Sequence, residues 1–246
     1  MKRKISIEIT SMMLHIIAMI CMLCDHLWAT VISGNNWLTC IGRIAFPIFA
    51  FLIVEGYFYT HNLKKYIGRL FIFAIISEIP FNLLMGSSIF YPIHQNVLWT
   101  FLIGIGLIYI NEKIKKKNSI WLKVATIIAS IAVAFIAGLV TMVDYNYAGV
   151  FTILVFYFFR GRNWWNFCAQ FLLLSYINIE VLSGYSYEIL LFGNTYYLVR
   201  QGFALFALFF IWLYRGKQGV YNNIIKGIYY GFYPVHLLCL VLIRGF

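Results

Sequence analysis

The sequence predicts an all-α polytopic membrane protein, and three observations carry that expectation. Its 246 residues are 63% hydrophobic and 11% charged, whereas a soluble domain carries about 25% charged residues. Apolar stretches recur along the whole length, which argues for a single integral membrane domain over 1–246 with no separate soluble domain. These stretches are continuous and not alternating, which argues against a transmembrane β-barrel.

Hydropathy gives about nine spans (eight to ten), since a helix crosses a bilayer in about 20 residues. The first, 9–32, follows Met1-Lys2-Arg3-Lys4 and reads as a retained helix. It is too long for a signal peptide, carries Asp25 and has no clear small-residue cleavage site. The second and third, 38–60 and 67–86, each hold a Pro among polar residues. The fourth, 96–111, opens on His94-Gln95-Asn96. Then come 120–142, a short 148–160, 164–183 and a long 188–214 interrupted near Gly193-Asn194, which admits two half-helices. The last is 221–243.

The net charge of +11 does not point to nucleic acid. Lys and Arg sit in short clusters between spans, at 2–4, 64–69, 113–117, 160–162 and 215–217. The other connections, around Asn35-Asn36, Ser87-Ser88, Asp144 and Tyr185-Ser186, hold no Lys or Arg. This alternation places the N-terminus in the cytoplasm and the C-terminus outside a cell membrane. It also brings Asp25, His26, Arg43, Glu78, Asn82, Asn96, Asp144, Arg200 and His236 to the outward side, with Glu55 deeper. Scattered helix glue has no reason to share a depth.

An intramembrane ionisable residue costs several kcal/mol unless it is paired or faces a cavity, so each is a candidate for function. Asp25-His26 joins a carboxylate that orients an imidazole to a base that works near neutral pH. The alternative is a polar pair that holds helices together. Arg43, four residues before Pro47, is open to three readings: binding a phosphate or carboxylate, pairing with Asp25, or snorkelling outward. Glu55 either receives a cytosolic ligand or pairs with Lys64 or Arg69. Lys64, Lys65 and Arg69 suit an anionic cofactor and equally suit anionic lipid head groups. Ser77-Glu78-Ile79-Pro80-Phe81-Asn82 puts Glu78 and Asn82 on one helical face. Asn96 either caps its helix or donates to a developing oxyanion. Lys226, Tyr230, Tyr233 and His236 form a stripe at spacings of four, three and three, which suits a path inward from the cytosolic edge. The five cysteines read as apolar packing, and no metal site is expected. No Walker loop, nucleophile elbow, Rossmann glycine pattern or HExxH is present, so direct transfer helped by a His base is the simplest chemistry.

These residues lie in stretches that resemble the TraX family, membrane proteins linked to N-terminal acetylation of conjugative pilin. The matching stretches are Ile17–Ile20 through Asp25-His26, Ile41-Gly42-Arg43-Ile44-Ala45-Phe46-Pro47 with Glu55-Gly56, and Ser77–Asn82. Asn96-Val97-Leu98-Trp99-Thr100, Asp144-Tyr145 with Gly149-Val150, and Tyr233-Pro234-Val235-His236 complete them. The resemblance implies a transmembrane acyltransferase-like bundle that takes acetyl-CoA from the cytosol and acetylates a peptide, pilin-like or envelope acceptor. In that frame Asp25 orients His26, which removes the acceptor proton, and His236 is the alternative base. Asn82, Asn96 or Tyr233 stabilises the oxyanion. Arg43, Glu55, Lys64, Lys65, Arg69, Lys226 and Tyr230 hold the cofactor. Two rival classes remain: a proton-coupled transporter or lipid flippase, with Asp25, Glu78, Asp144 and the histidines as a relay, and a non-catalytic assembly subunit.

Overall fold

A computed structural model describes residues 8–220 and 222–245. The Lys2-Arg3-Lys4 cluster and Tyr221, at the start of the last expected span, lie outside the described residues. Among the described residues, six helices are long and apolar enough to cross a membrane: α1 (Ser11–Thr30), the broken rod α2–α3 (Asn36–Gly42 and Ala45–Tyr59), α4 (Leu63–Gly86), α5 (Val97–Lys115), α6 (Ile120–Val140) and α10 (Asn223–Arg244). Five of them start on a side chain that accepts from the first turn: Thr10, Asn62, Asn96, Ser119 and Asn222. Each such cap contributes about 1 kcal/mol.

The break between α2 and α3 follows from Pro47. Proline has no N–H to give the carbonyl four residues back, and its ring presses on that carbonyl. The residue four back is Arg43, and the helix is interrupted at Arg43–Ile44. Gly42 allows the approach before the break, because a Cβ there would lie 2.3 Å from Asp25 Cβ. α3 is the axis of the bundle. It packs on α1, α5, α7 (Asn146–Phe158) and α9 (Ala207–Leu213), and Ile48, Ala50 and Val54 are fully enclosed. α6 lies at the periphery, with Ile128, Ile131 and Ile136 exposed as a lipid-facing helix requires.

The expected count of about nine spans is not what the described residues form. α7 has 13 residues and is about 20 Å long, short of the roughly 30 Å hydrocarbon layer. It is apolar because it is buried in protein. The 164–183 stretch forms α8 (Trp164–Ser175) and a π-helical turn over Tyr176–Val181. The stretch 188–214 is neither one helix nor two half-helices. It becomes an antiparallel hairpin, β1 (Ser186–Leu191) and β2 (Asn194–Val199), then a 3-10 helix (Arg200–Phe206) leading into α9. The hairpin turns at Phe192-Gly193, both with positive φ, the geometry that matches strand twist in a two-residue loop. A short apolar run does not reveal its period, so aromatic and β-branched residues at 187–199 read as span and fold as strand.

Backbone pairing defines the two ends of the bundle. At one end Ser11 N donates to Lys217 O at 2.8 Å and Met12 N to Gln218 O at 3.1 Å. At the other, Gln95 N donates to Met142 O and Asp144 N to Gln95 O, each at 2.9 Å. Arg244 Nη1 reaches Leu84 O at 3.1 Å, at the end of α4.

Candidate functional site

The break at Arg43 turns its guanidinium back onto α1. One nitrogen, Nη2, donates to both carboxylate oxygens of Asp25, and Thr39 Oγ1 adds a hydrogen bond to Asp25 Oδ1 at 2.7 Å. Of the three readings open for Arg43, pairing with Asp25 is the one the chain adopts. A second guanidinium nitrogen donates to Gln201 Oε1 at 3.2 Å. Gln201 Nε2 in turn donates to Asn178 Oδ1 at 3.0 Å. Asn178 belongs to the π-helical turn, a local widening that recurs at functional sites.

Asp25 does not orient His26. Neighbouring helix residues point about 100° apart, and His26 turns instead to α10. Its Nδ1 lies 2.7 Å from His236 Nε2, with the rings near-parallel at 5°. His236 Nδ1 lies 2.8 Å from Phe232 O. A carbonyl only accepts, so His236 Nδ1 carries the proton. In a neutral ring Nε2 is then the acceptor, and His26 Nδ1 must be the donor. The free lone pair of this chain of rings sits on His26 Nε2. His236, with both nitrogens occupied, is not available as a direct base.

The remaining polar groups of this end are bonded to one another and to the backbone. Glu78 Oε2 accepts from Asn96 Nδ2 and, at 3.0 Å, from Trp99 Nε1. Asn96 Nδ2 also donates to Ala74 O at 2.9 Å, and its Oδ1 caps α5. Both amide hydrogens are committed, so Asn96 has no donor to offer an oxyanion. Asn82 Nδ2 closes the following loop by donating to Ile89 O at 3.1 Å. The Asp144 carboxylate is among the charges that act on His26, Arg43 and Tyr233, and its backbone carbonyl accepts from Thr100 Oγ1 at 2.7 Å.

Outside the helices, His94 Nε2 lies 3.3 Å from Asp144 Oδ1. That hydrogen bond, against the opposing effect of burial, raises the His94 pKa above its usual value. A raised folded pKa stabilises the fold fully below the unfolded value near 6.5, and the contribution fades as pH rises through the higher folded value. The pair is partly exposed, so the effect is at most about 1 kcal/mol. Thermal unfolding followed from pH 5.5 to 8.5 should show this loss on raising pH, and Asp144→Asn should flatten it.

From the basic end a cavity of about 700 Å³ runs inward between α1, α3, α4 and α10. This lies within the roughly 300–1,000 Å³ usual for ligand pockets. Lys65, Arg69 and Lys226 stand on its wall near that end, and Val97, Leu98 and Tyr233 line it further in. Tyr233 and Phe232 separate it from the imidazoles, with ring centroids 5.8 and 4.7 Å from His236. Tyr230 also lines it, accepting from Arg69 Nε at 3.3 Å. Glu55 lines it while paired to Arg160 Nε at 2.7 Å, not to Lys64 or Arg69. Arg160 comes from the far side of α3, beyond the reach of local spacing. Lys64 is exposed and absent from the wall, because Lys65 takes the inward position at the start of α4. Arg43 is absent as well, being tied to Asp25 at the opposite end.

A family model described as TraX protein matches residues 10–244. The chain belongs to the TraX family. It is also similar to a probable fimbrial assembly protein FimC, serogroup H1, of Dichelobacter nodosus, at 27% identity over 95% of this chain and 96% of that protein. No solved structure matches it.

In this TraX chain the structure brings Asp25 with Arg43, His26 with His236, and Lys65, Arg69, Lys226, Tyr230 and Tyr233 around one cavity. Sequence reasoning did not find Thr39, Gln201, Asn178, Arg160 or His15. His15 lines the cavity, stacked 4.1 Å from Tyr229. Its signal was present in the sequence, since His15, Met19 and Met22 recur at helical spacing on α1. Gln201 and Asn178 carried no such signal, because a π turn and a 3-10 helix bring them together.

Proposed function

We propose that this chain is a membrane-embedded acetyltransferase that moves an acetyl group from acetyl-CoA to an amine or hydroxyl. In this reading it sits in the cell membrane with its basic end in the cytosol. The observation that supports the reading best is the cavity itself. Its basic end suits a polyphosphorylated donor, its volume suits an acyl-bearing arm, and its inner wall is the tyrosine whose ring centroid lies 5.8 Å from that of His236. The likeness to a fimbrial assembly protein favours a fibre-subunit peptide as the acceptor over other envelope molecules.

The chemistry follows from the ring order. His26 Nε2 takes the proton from the acceptor N–H or O–H as the acceptor attacks the thioester carbonyl. The positive charge formed on His26 is shared toward His236 through the Nδ1–H bond. The Tyr233 hydroxyl, at the inner end of the cavity, donates to the developing oxyanion. Collapse of the tetrahedral intermediate breaks the C–S bond. The sulfur leaves with the proton that His26 took, giving free CoA and the acetylated acceptor. Asp25 balances Arg43 and holds the outer end of α1 in place.

The test uses membranes carrying the full chain, radiolabelled acetyl-CoA and a fibre-subunit peptide with a free N-terminus. Label should pass to the peptide, and unlabelled CoA should suppress the transfer. Membranes that leave the peptide and every envelope fraction unlabelled would reject the reading. Tyr233→Phe keeps the ring in the cavity wall and removes its donor. It should lower the rate of transfer about 10²- to 10³-fold with little change in KM for acetyl-CoA.

A further inference from the structure

A second pocket of about 220 Å³ adjoins the basic end of the large cavity. The two share Glu55, Tyr59, Tyr214 and Gly216 as a common wall. Three arginines line the smaller one, Arg160, Arg162 and Arg215, and Glu55 is the only carboxylate among its lining residues. Arg162 Nη1 donates to Tyr214 O at 2.7 Å and Arg215 Nη1 to Trp212 O at 2.8 Å. These bonds hold the open end of α9 and leave most of the five N–H groups of each guanidinium for another acceptor. Capping one short helix does not require three arginines around a hollow. Gly216 belongs to this wall; its φ is +77° and a Cβ there would lie 3.0 Å from the Tyr59 hydroxyl.

We propose that this arginine pocket binds the ribose 3′-phosphate of the acyl donor. The inference rests on the acetyl-CoA reading above. The acyl-bearing arm must run down the large cavity for the thioester to approach Tyr233. The diphosphate at the base of that arm then stands among Lys65, Arg69 and Lys226. The remaining phosphate branches from the ribose, and the arginine pocket adjoins the same basic end of the cavity. The pocket's volume is ample for a phosphate. Guanidinium forks match a dianionic phosphate better than ammonium groups do, because they present paired N–H groups in one plane. A lipid headgroup phosphate offers the same chemistry from another source.

The decisive experiment compares CoA with 3′-dephospho-CoA binding to the purified full chain in detergent and in nanodiscs. CoA should bind about 10- to 100-fold more tightly, the range of a charged hydrogen-bonded contact. Arg162→Gln and Arg215→Gln should bring the ratio close to one, and Arg215→Lys should keep part of it. Lys65→Gln should weaken both ligands and keep the ratio. Equal binding of both ligands by the unaltered chain overturns the subsite and leaves the acetyl-CoA reading standing. A ratio that survives in both arginine variants does the same. Nanodiscs of phosphatidylglycerol that abolish the ratio seen in phosphatidylcholine would give the pocket to a lipid headgroup and reject the proposal. Binding of neither nucleotide under any condition overturns both the subsite and the acetyl-CoA reading. Should Arg215→Gln fail to fold, the unaltered chain and Arg215→Lys still decide the question.

Discussion

His26→Ala should lower acetyl transfer about 10²- to 10⁴-fold, the contribution of a positioned general base, while the protein still inserts and loses only about 1–3 kcal/mol of stability, that of one buried hydrogen bond. The expectation rests on the order of hydrogen bonds. Phe232 O fixes the proton on His236 Nδ1, His236 Nε2 accepts from His26 Nδ1, and the lone pair is left on His26 Nε2. His236→Ala should behave differently. It leaves the base in place and removes its partner, so the rate should fall less and its dependence on pH should shift. The measurement is the rate of label transfer from acetyl-CoA across pH for both variants. A His26→Ala variant that transfers normally, or a His236→Ala variant that loses more than His26→Ala, would reverse the roles given to the two rings.

The second large effect is on stability. Asp25→Leu leaves the Arg43 guanidinium, only 17% exposed, without its counter-charge. Removing one partner of a buried ion pair costs about 3–5 kcal/mol, because an uncompensated charge stays behind. Arg43→Met should cost a similar amount, leaving Asp25 with Thr39 as its remaining hydrogen-bond donor. The double variant Asp25→Leu/Arg43→Met should recover most of the loss, since packed apolar groups of similar volume replace a buried pair at little cost. Thermal unfolding in detergent measures all three. Single variants as stable as the unaltered chain would show that the pair has no structural role. If the double variant is stable and still transfers acetyl groups, Asp25 and Arg43 serve the fold and not the chemistry.

Much of this arrangement was legible in the sequence. Charge alternation between apolar spans set the two ends of the bundle, and the stripe from Lys226 to Tyr233 named one wall of the cavity before any coordinates. Pro47 announced the break at Arg43, because a proline and the carbonyl four residues behind it are fixed by covalent geometry. What stayed hidden depends on direction and on distant partners. Adjacency of Asp25 and His26 suggested a working pair, yet consecutive helical residues face different neighbours. Asn96 offered an amide to chemistry, but its donors were already taken by Ala74 and Glu78. Arg160 meets Glu55 across more than a hundred residues of chain, which no local pattern records. The 186–199 ribbon was lost because a short apolar run reads the same for strand and helix.

The missing side chain at Gly42 has a consequence for traffic through the membrane. With no Cβ there, α2 rests directly on the backbone and carboxylate of Asp25, so α1 and α2 meet at this level with no side chain of α2 between them. Under the acetyltransferase reading proposed above, an acceptor bound for His26 would enter by a route other than this contact.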